Sequence, residues 1–152
     1  MTYKLNISKN RKAYHNYTVD STYEAGIALR GSEVKSLRKN KTSLSESYGS
    51  LIKGELFLLN LHIPQYECTT AFLLDSRRPK KLLLHKREIN RIIGKMKKNH
   101  FTIIPLEMYL NERSLIKVAI GVCKGKTNYD KRESIKKREI EREMRRDVSN
   151  QE

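Results

Sequence analysis

Two hairpins of alternating residues confine this chain to an antiparallel β architecture. Tyr48–Ile52 and residues 56–63 flank Lys53-Gly54, a two-residue link whose glycine suits the left-handed backbone of such a turn. In the second segment Phe57, Leu59, Leu61 and Ile63 alternate with Leu58, Asn60 and His62, which predicts one core face and one mixed face. Pro64 ends the run. Farther on, Ile104, Leu106, Met108 and Leu110 alternate, residues 111–114 turn the chain, and Ile116, Val118, Ile120 and Val122 bring it back. The other face of that last strand carries Lys117, Ala119, Gly121 and Cys123, small residues beside one cation, against which another backbone can lie close.

The stretch YEAGIALRGSEVKSLR, residues 23–38, runs a strand into a helix. Ile27 and Leu29 alternate with Ala28 and Arg30 up to Gly31. Ser32 is placed to cap a helix and Glu33 sits in its first turn, where the helix dipole favours a carboxylate. Val34 and Leu37 share one face of that helix, Lys35 and Arg38 a basic edge. Before it, YHNYTV at residues 14–19 reads as the first strand, and residues 1–13 as a flexible basic arm. Residues 65–81 read as a surface loop rimmed by Arg77, Arg78, Lys80 and Lys81 and holding Tyr66 and Phe72.

Residues 82–98 predict a helix, with Ile89, Ile92, Ile93 and Met96 on one face. His85 and Glu88 have capping-box spacing, and Asn99 is placed to close the helix. Its outer face is basic through Lys86, Arg87, Arg91, Lys95 and Lys97. About six antiparallel strands with flanking α-helices predict a mainly β fold. An OB-type barrel closes such an inventory without exposed edges, and an open α+β sheet is the alternative.

From Lys124 the alternation stops. The segment from there to Glu152 holds ten Lys and Arg against seven Asp and Glu, so +12 of the +15 net charge belongs to residues 1–123. A field of that sign attracts polyanions, and every cation that neutralises a phosphate releases a counterion. Ile135, Ile140 and Met144 are too sparse for a core but can mark a stripe on a helix that begins near Asp130, with Glu133 three residues later. Alone in water such a tail is expected to be disordered. The division is thus an arm at 1–13, a barrel at 14–124 and a tail at 125–152.

No apolar run approaches the ~20 residues that span a bilayer. Cys68 and Cys123 stand far apart without metal-ligand spacing, which points to a reduced cytoplasmic setting and no bound metal or cofactor. His15, His62, His85 and His100 are scattered, and neither a glycine-rich phosphate loop nor a nucleophile elbow is present. These residues describe a binding protein rather than an enzyme. In GKTNYDKR, residues 125–132, the Tyr129 ring can stack on an unpaired base while Lys126, Lys131 and Arg132 reach phosphates.

Taken in order, YEAGIALRGSEVKSLR, SYGSLIKGELFLLNLHI, RRPKKLLLHKREI and IKVAIGVCKGKTNYDKR resemble the SmpB (small protein B) family, which binds transfer-messenger RNA (tmRNA) in bacteria. The likeness runs colinearly from about residue 10 to about residue 143. It implies a protein without chemistry of its own that binds the tRNA-like domain of tmRNA and delivers it to stalled ribosomes for trans-translation. The tail would engage the decoding centre and the empty mRNA channel and become helical there. Elongation factor Tu and alanyl-tRNA synthetase are implied as partners through tmRNA.

By motif position the resemblance assigns Glu24, Leu83 and Lys117 to tmRNA binding, with His15 on the first strand. Arg38 and Lys126 are counted with them as cations. For Leu83 the plain alternative is core packing, and for Glu24 an internal salt bridge. Tyr129, Asp130, Lys131 and Arg132 match the tail positions tied to ribosome engagement. The chain departs from the family pattern at Ser76, which replaces a usual proline and implies a less fixed loop, and at His100, which replaces a usual glycine. The wider alternative is a generic OB-fold RNA-binding or ribosome-associated protein.

Overall fold

The structure is a computed structural model and describes residues 4–39, 42–66, 75–98 and 100–149. Among them lie seven strands and four helices: β1 (Leu5–Lys9), α1 (Arg11–Asn16), β2 (Tyr17–Ile27), α2 (Gly31–Lys39), β3 (Tyr48–Ile52), β4 (Glu55–Leu59), β5 (Lys80–Leu83), α3 (Lys86–Lys98), β6 (Thr102–Leu110), β7 (Ile116–Gly125) and α4 (Asn128–Ser149). All strand pairs are antiparallel. The sheet order is β1-β6-β3-β4-β5-β2-β7, and β7 also pairs with β6. The pairing therefore returns on itself through six strands. One edge of β6 follows β7, while the other is shared between β1 near Met108 and β3 at Ile103.

The ring is thick on one side and thin on the other. β2 and β7 pair from Tyr17–Gly125 to Gly26–Lys117, but β3 meets β6 only at Gly49 opposite Ile103. Within it, Leu56, Leu58, Leu61, Leu82, Ile103, Met108, Val118, Ile120 and Val122 form one core, roofed by Ile92 of α3 and Leu37 of α2. The Lys53-Gly54 link has positive φ at both residues, 51° and 77°, the conformation that lets a two-residue loop follow the sheet twist.

Several expectations are corrected. Residues 5–9 of the supposed arm form β1, because Leu5 to Lys9 pair with the half of β6 that β3 leaves open. Arg11–Asn16 is the helix α1, so of the strand expected at residues 14–19 only residues 17–19 are extended, as the start of β2. Asn10 caps α1 by accepting the Ala13 N–H at 3.1 Å while its own amide donates to the Pro105 carbonyl at 2.9 Å. Residues 80–83, read as loop and helix start, are β5. The tail expected to be disordered is the helix α4. It begins a turn earlier than Asp130: Thr127 Oγ1 accepts the Asp130 N–H at 3.3 Å, and the Asp130 carboxylate accepts the Thr127 hydroxyl at 2.8 Å. α2 likewise starts before Ser32, since Glu33 reaches back to the Arg30 N–H at 2.9 Å.

Two parity breaks overturn the face assignments. Asn60 turns left-handed at φ 58°, so Leu56 and Leu58, not Phe57 and Leu59, share the core with Leu61 and Ile63. A bulge between Pro105 and Glu107 shifts β6 by one residue. Ile103 and Met108 then face the main core, while Ile104 and Leu106 join Ala13 and Cys123 in a second cluster under α1. What meets the small-residue face of β7 is thus side chains rather than a backbone: a Cβ at Gly121 would lie 3.1 Å from Leu106 Cδ1, and Cys123 packs with Ala13 of α1. Burial in that cluster pushes the Cys123 thiol up to about 11. Cys68, Phe72 and the closing residue Asn99 lie outside the described residues.

Candidate nucleic-acid interface

The register of three strands assembles the site. Gly26 of β2 pairs with Leu83 of β5 on one side and with Lys117 of β7 on the other. Directly paired residues point to the same face, and Glu24, two residues from Gly26, points there too. Ala25, Ile27, Val118 and Ile120 take the opposite face into the core. Glu24, Leu83 and Lys117 therefore stand together around a glycine floor, in a groove of about 660 Å³ that Leu84, His85, Glu88 and Ile89 extend toward α3. A Cβ at Gly26 would sit 3.2 Å from that of Leu83, so the floor has little room for any other residue.

Leu83 is 52% exposed, which removes core packing as its role. Among the described residues Glu24 makes no salt bridge; it accepts the hydroxyl of Tyr109, the residue paired with Lys117 in β6. Burial, and then the Glu24 carboxylate, push the Tyr109 phenol well above its ordinary value. The Lys4 ammonium lies 4.4 Å from the centre of the Tyr109 ring. The other groove carboxylates are also engaged: Glu55 with Lys81 at 2.9 Å, and Glu88 with the His85 N–H at 3.1 Å. Lys117 has no hydrogen-bond or ion-pair partner among the described residues. The groove thus presents one uncompensated cation, one solvent-facing leucine and carboxylate oxygens able to accept from hydroxyl or amino groups.

The remaining predicted residues lie elsewhere. His15 is on α1 rather than a strand, beside Tyr17, at the far end of β2. Nine residues of strand separate Tyr17 from Gly26, about 30 Å. Lys126 is held at the same end, donating to the Tyr14 carbonyl at 3.0 Å and to Ser134 Oγ at 3.2 Å, so it ties α4 to α1. Arg38, on α2, donates to the Ser114 carbonyl at 3.2 Å and does not line the groove.

On α4, successive residues turn by about 100°. Tyr129, Ile140, Met144 and Val148 then share a stripe, all of them exposed. Ile135 falls on the opposite side, the side of Lys131 and Ser134, which are partly covered. The expected single stripe of Ile135, Ile140 and Met144 is therefore two faces. Asp130 serves the helix start, and Lys131 and Arg132 follow in its first turn.

The expected basic rim is largely engaged internally. Lys80 is fully buried and gives its ammonium protons to the carbonyls of Leu61 (2.7 Å), Arg78 (3.0 Å) and Ser76 (3.2 Å), and burial pushes its pKa down. Arg78 forks onto Glu33 at 2.8 and 2.5 Å, and Arg77 donates to Asn60 at 2.7 Å. Ser76 accepts the Ile63 N–H and meets His62 Nδ1 at 3.0 Å, so the described end of the loop is well tied despite the missing proline. His100 is exposed. Tyr109, His85 and Gly26 were missed as site residues. Only Gly26 left a signal, its even spacing from Glu24.

Among the described residues no three His, Cys, Asp or Glu side chains gather closely enough to hold a metal. A shallow, open groove with a bare lysine and leucine, on a strongly basic body, belongs to a nucleic-acid-binding β-protein. The SmpB protein family model matches residues 7–150, and the chain belongs to that family. It is 53% identical over 139 residues to the SsrA-binding protein of Thermosipho melanesiensis, covering 91% of this chain and 95% of that one. To the SsrA-binding protein of Rickettsia bellii it is 48% identical over 146 residues, covering 96% and 97%. A chain in the solved structure "tmRNA-SmpB: a journey to the center of the bacterial ribosome" is 45% identical, with a TM-score of 0.65 over 84% of this chain and 92% of that one. No helix among the described residues is long and apolar enough to cross a membrane.

Proposed function

We propose that this chain binds the tRNA-like domain of tmRNA and delivers it to stalled ribosomes for trans-translation, acting without chemistry of its own in the cytoplasm. The observation that carries the reading is the meeting of Glu24, Leu83 and Lys117 around Gly26, on three different strands, in a chain of this family. Lys117 supplies a phosphate contact. Leu83 offers an apolar surface to a base or sugar face, and Glu24 accepts from a hydroxyl or an exocyclic amine. The ring of strands is read as an OB-type barrel, whose open sheet face suits RNA.

The second half of the function is assigned to α4. It leaves the body at the Tyr17–Gly125 end of β2 and β7, opposite the groove. In this reading Tyr129, Asp130, Lys131 and Arg132 engage the decoding centre and the face of Ile140 and Met144 follows the empty mRNA channel. At that end Lys126 ties α4 to α1, and Arg38 braces α2 against the turn at Ser114; His15, Arg38 and Lys126 are read as further tmRNA contacts outside the groove. Elongation factor Tu and alanyl-tRNA synthetase are partners through the RNA.

Truncation after Tyr129 tests the division. The shortened protein should bind the tRNA-like domain as well as the full chain does and fail to support tagging on stalled ribosomes. Retained tagging would contradict it, and would favour a general RNA-binding protein.

A further inference from the structure

The outer face of α3 carries a feature that the fold itself does not use. Arg87, Arg91 and Lys98 stand three, four or seven residues from Gly94, so all four share one face of the helix. Gly94 lies in the helix interior, where glycine is less favourable than alanine by about 1 kcal/mol. No described residue lies within 4 Å of the position a Cβ would take, so no packing among them calls for a glycine there. None of the three cations has a hydrogen bond or ion pair to another described residue, whereas Lys95, on the flank of the same helix, is bound to Asp20 at 2.5 Å. The one carboxylate of the helix, Glu88, borders the face beside Arg91 and accepts the His85 N–H at 3.1 Å. At its start α3 is continuous with the groove: His85 and Glu88 line both the groove and a second recess of about 540 Å³ formed with Arg87 and Arg91.

We propose that this face docks the sugar–phosphate backbone of the same RNA that enters the groove, with Gly94 as the point of closest approach between Arg87, Arg91 and Lys98. A bare backbone flanked by three mobile cations lets a phosphate strand come within direct hydrogen-bond reach of the guanidinium groups. Contacts of this kind position an RNA and add affinity without reading its sequence. The inference rests on the groove reading and extends the RNA footprint along α3, away from α4.

Two variants of the full chain test it, with a transcript of the tRNA-like domain as probe. Arg87→Gln/Arg91→Gln/Lys98→Gln keeps good helix formers. It should make the dependence of log affinity on log salt shallower by about 2–3, at roughly 0.7–0.9 per lost phosphate contact. Gly94→Leu should raise Tm yet weaken RNA binding at least several-fold. An unchanged salt slope, or a Gly94→Leu protein that is more stable and binds as before, overturns the proposal. Lys117→Ala, measured alongside, separates the two readings: if it loses affinity while the α3 variants do not, the groove stands and the α3 surface falls. If the α3 variants alone lose affinity, the groove reading falls.

Discussion

Replacing Gly49 with alanine should strain the ring at its narrowest seam. β3 and β6 pair at one position, and a Cβ on residue 49 would stand 2.5 Å from Ile103 Cγ2 and 2.7 Å from its Cβ. Carbon atoms in good contact sit about 3.5–4.0 Å apart, so roughly an ångström of overlap has to be relieved. Ile103 is fully buried, and rotating its χ1 moves Cγ2 but leaves Cβ in place. Overpacking of this kind costs about 1–3 kcal/mol, against a gain of about 0.5–1 for replacing glycine in a strand. A net loss of about 1–2 kcal/mol should lower Tm by about 2–8 °C for a chain of this size. Thermal unfolding followed by circular dichroism reads it, with Gly94→Ala as the comparison; that site is open and helical, and its Tm should rise. The groove lies on β2, β5 and β7, away from this seam, so RNA affinity measured well below Tm should persist. An unchanged or higher Tm for Gly49→Ala would refute the argument.

Lys80→Met should cost about 2–3 kcal/mol, because the carbonyls of Leu61, Ser76 and Arg78 lose their shared donor; an unmoved denaturation midpoint would speak against the carbonyl cage. The unfolded Tyr109 phenol ionises near pH 10, while the folded one keeps its proton to higher pH. Its contribution to stability is therefore complete below about pH 10 and is lost as pH rises past it, and Tyr109→Phe should flatten that alkaline fall. Identical alkaline profiles for the two proteins would show that the phenol is not so held. Thr127→Ala removes the cap of α4 at a cost of about 1 kcal/mol and should lower the far-ultraviolet helical signal; an undiminished signal would mean that the helix start is fixed by something else.

The two hairpins were legible because strand alternation and a Lys-Gly turn leave a strong local signature. What escaped was decided by single residues that break parity. Asn60 and the bulge at Pro105–Glu107 each shift a strand by one position, so a period-two reading that is right on one side of the break, for Leu61, Ile63 and Met108, is wrong on the other, for Phe57, Leu59, Ile104 and Leu106. Strand β5 was hidden for another reason: KKLL is only four residues long, and its apolar pair continues smoothly into the helical pattern that follows. The charge run at residues 77–81 misled because composition does not reveal partners. Arg78 and Lys80 look like RNA-facing cations and are instead structural ones, the half-buried Arg78 satisfied by Glu33 and the buried Lys80 by backbone carbonyls.

The candidate site was legible only through family resemblance, which named Glu24, Leu83 and Lys117 without a reason for their association. The structure supplies that reason in the lateral row Leu83–Gly26–Lys117–Tyr109. Tyr109 and Gly26 belong to the site through cross-strand register, a relation between residues distant in the chain that no local pattern contains. The start of α4 was not legible because it is set by the Thr127–Asp130 cap and the Lys126 tie to α1, both outside the apolar pattern of the segment.

The most direct test of the central claim is a binding competition. The full chain and Leu83→Ala/Lys117→Ala are each titrated against the tRNA-like domain of tmRNA in the presence of bulk tRNA. Both side chains are outside the core, so the two proteins should unfold at similar temperatures. The account predicts that the full chain selects the tRNA-like domain over bulk tRNA and that the variant loses most of that selection. Equal selection by both proteins would contradict the groove as the site of recognition.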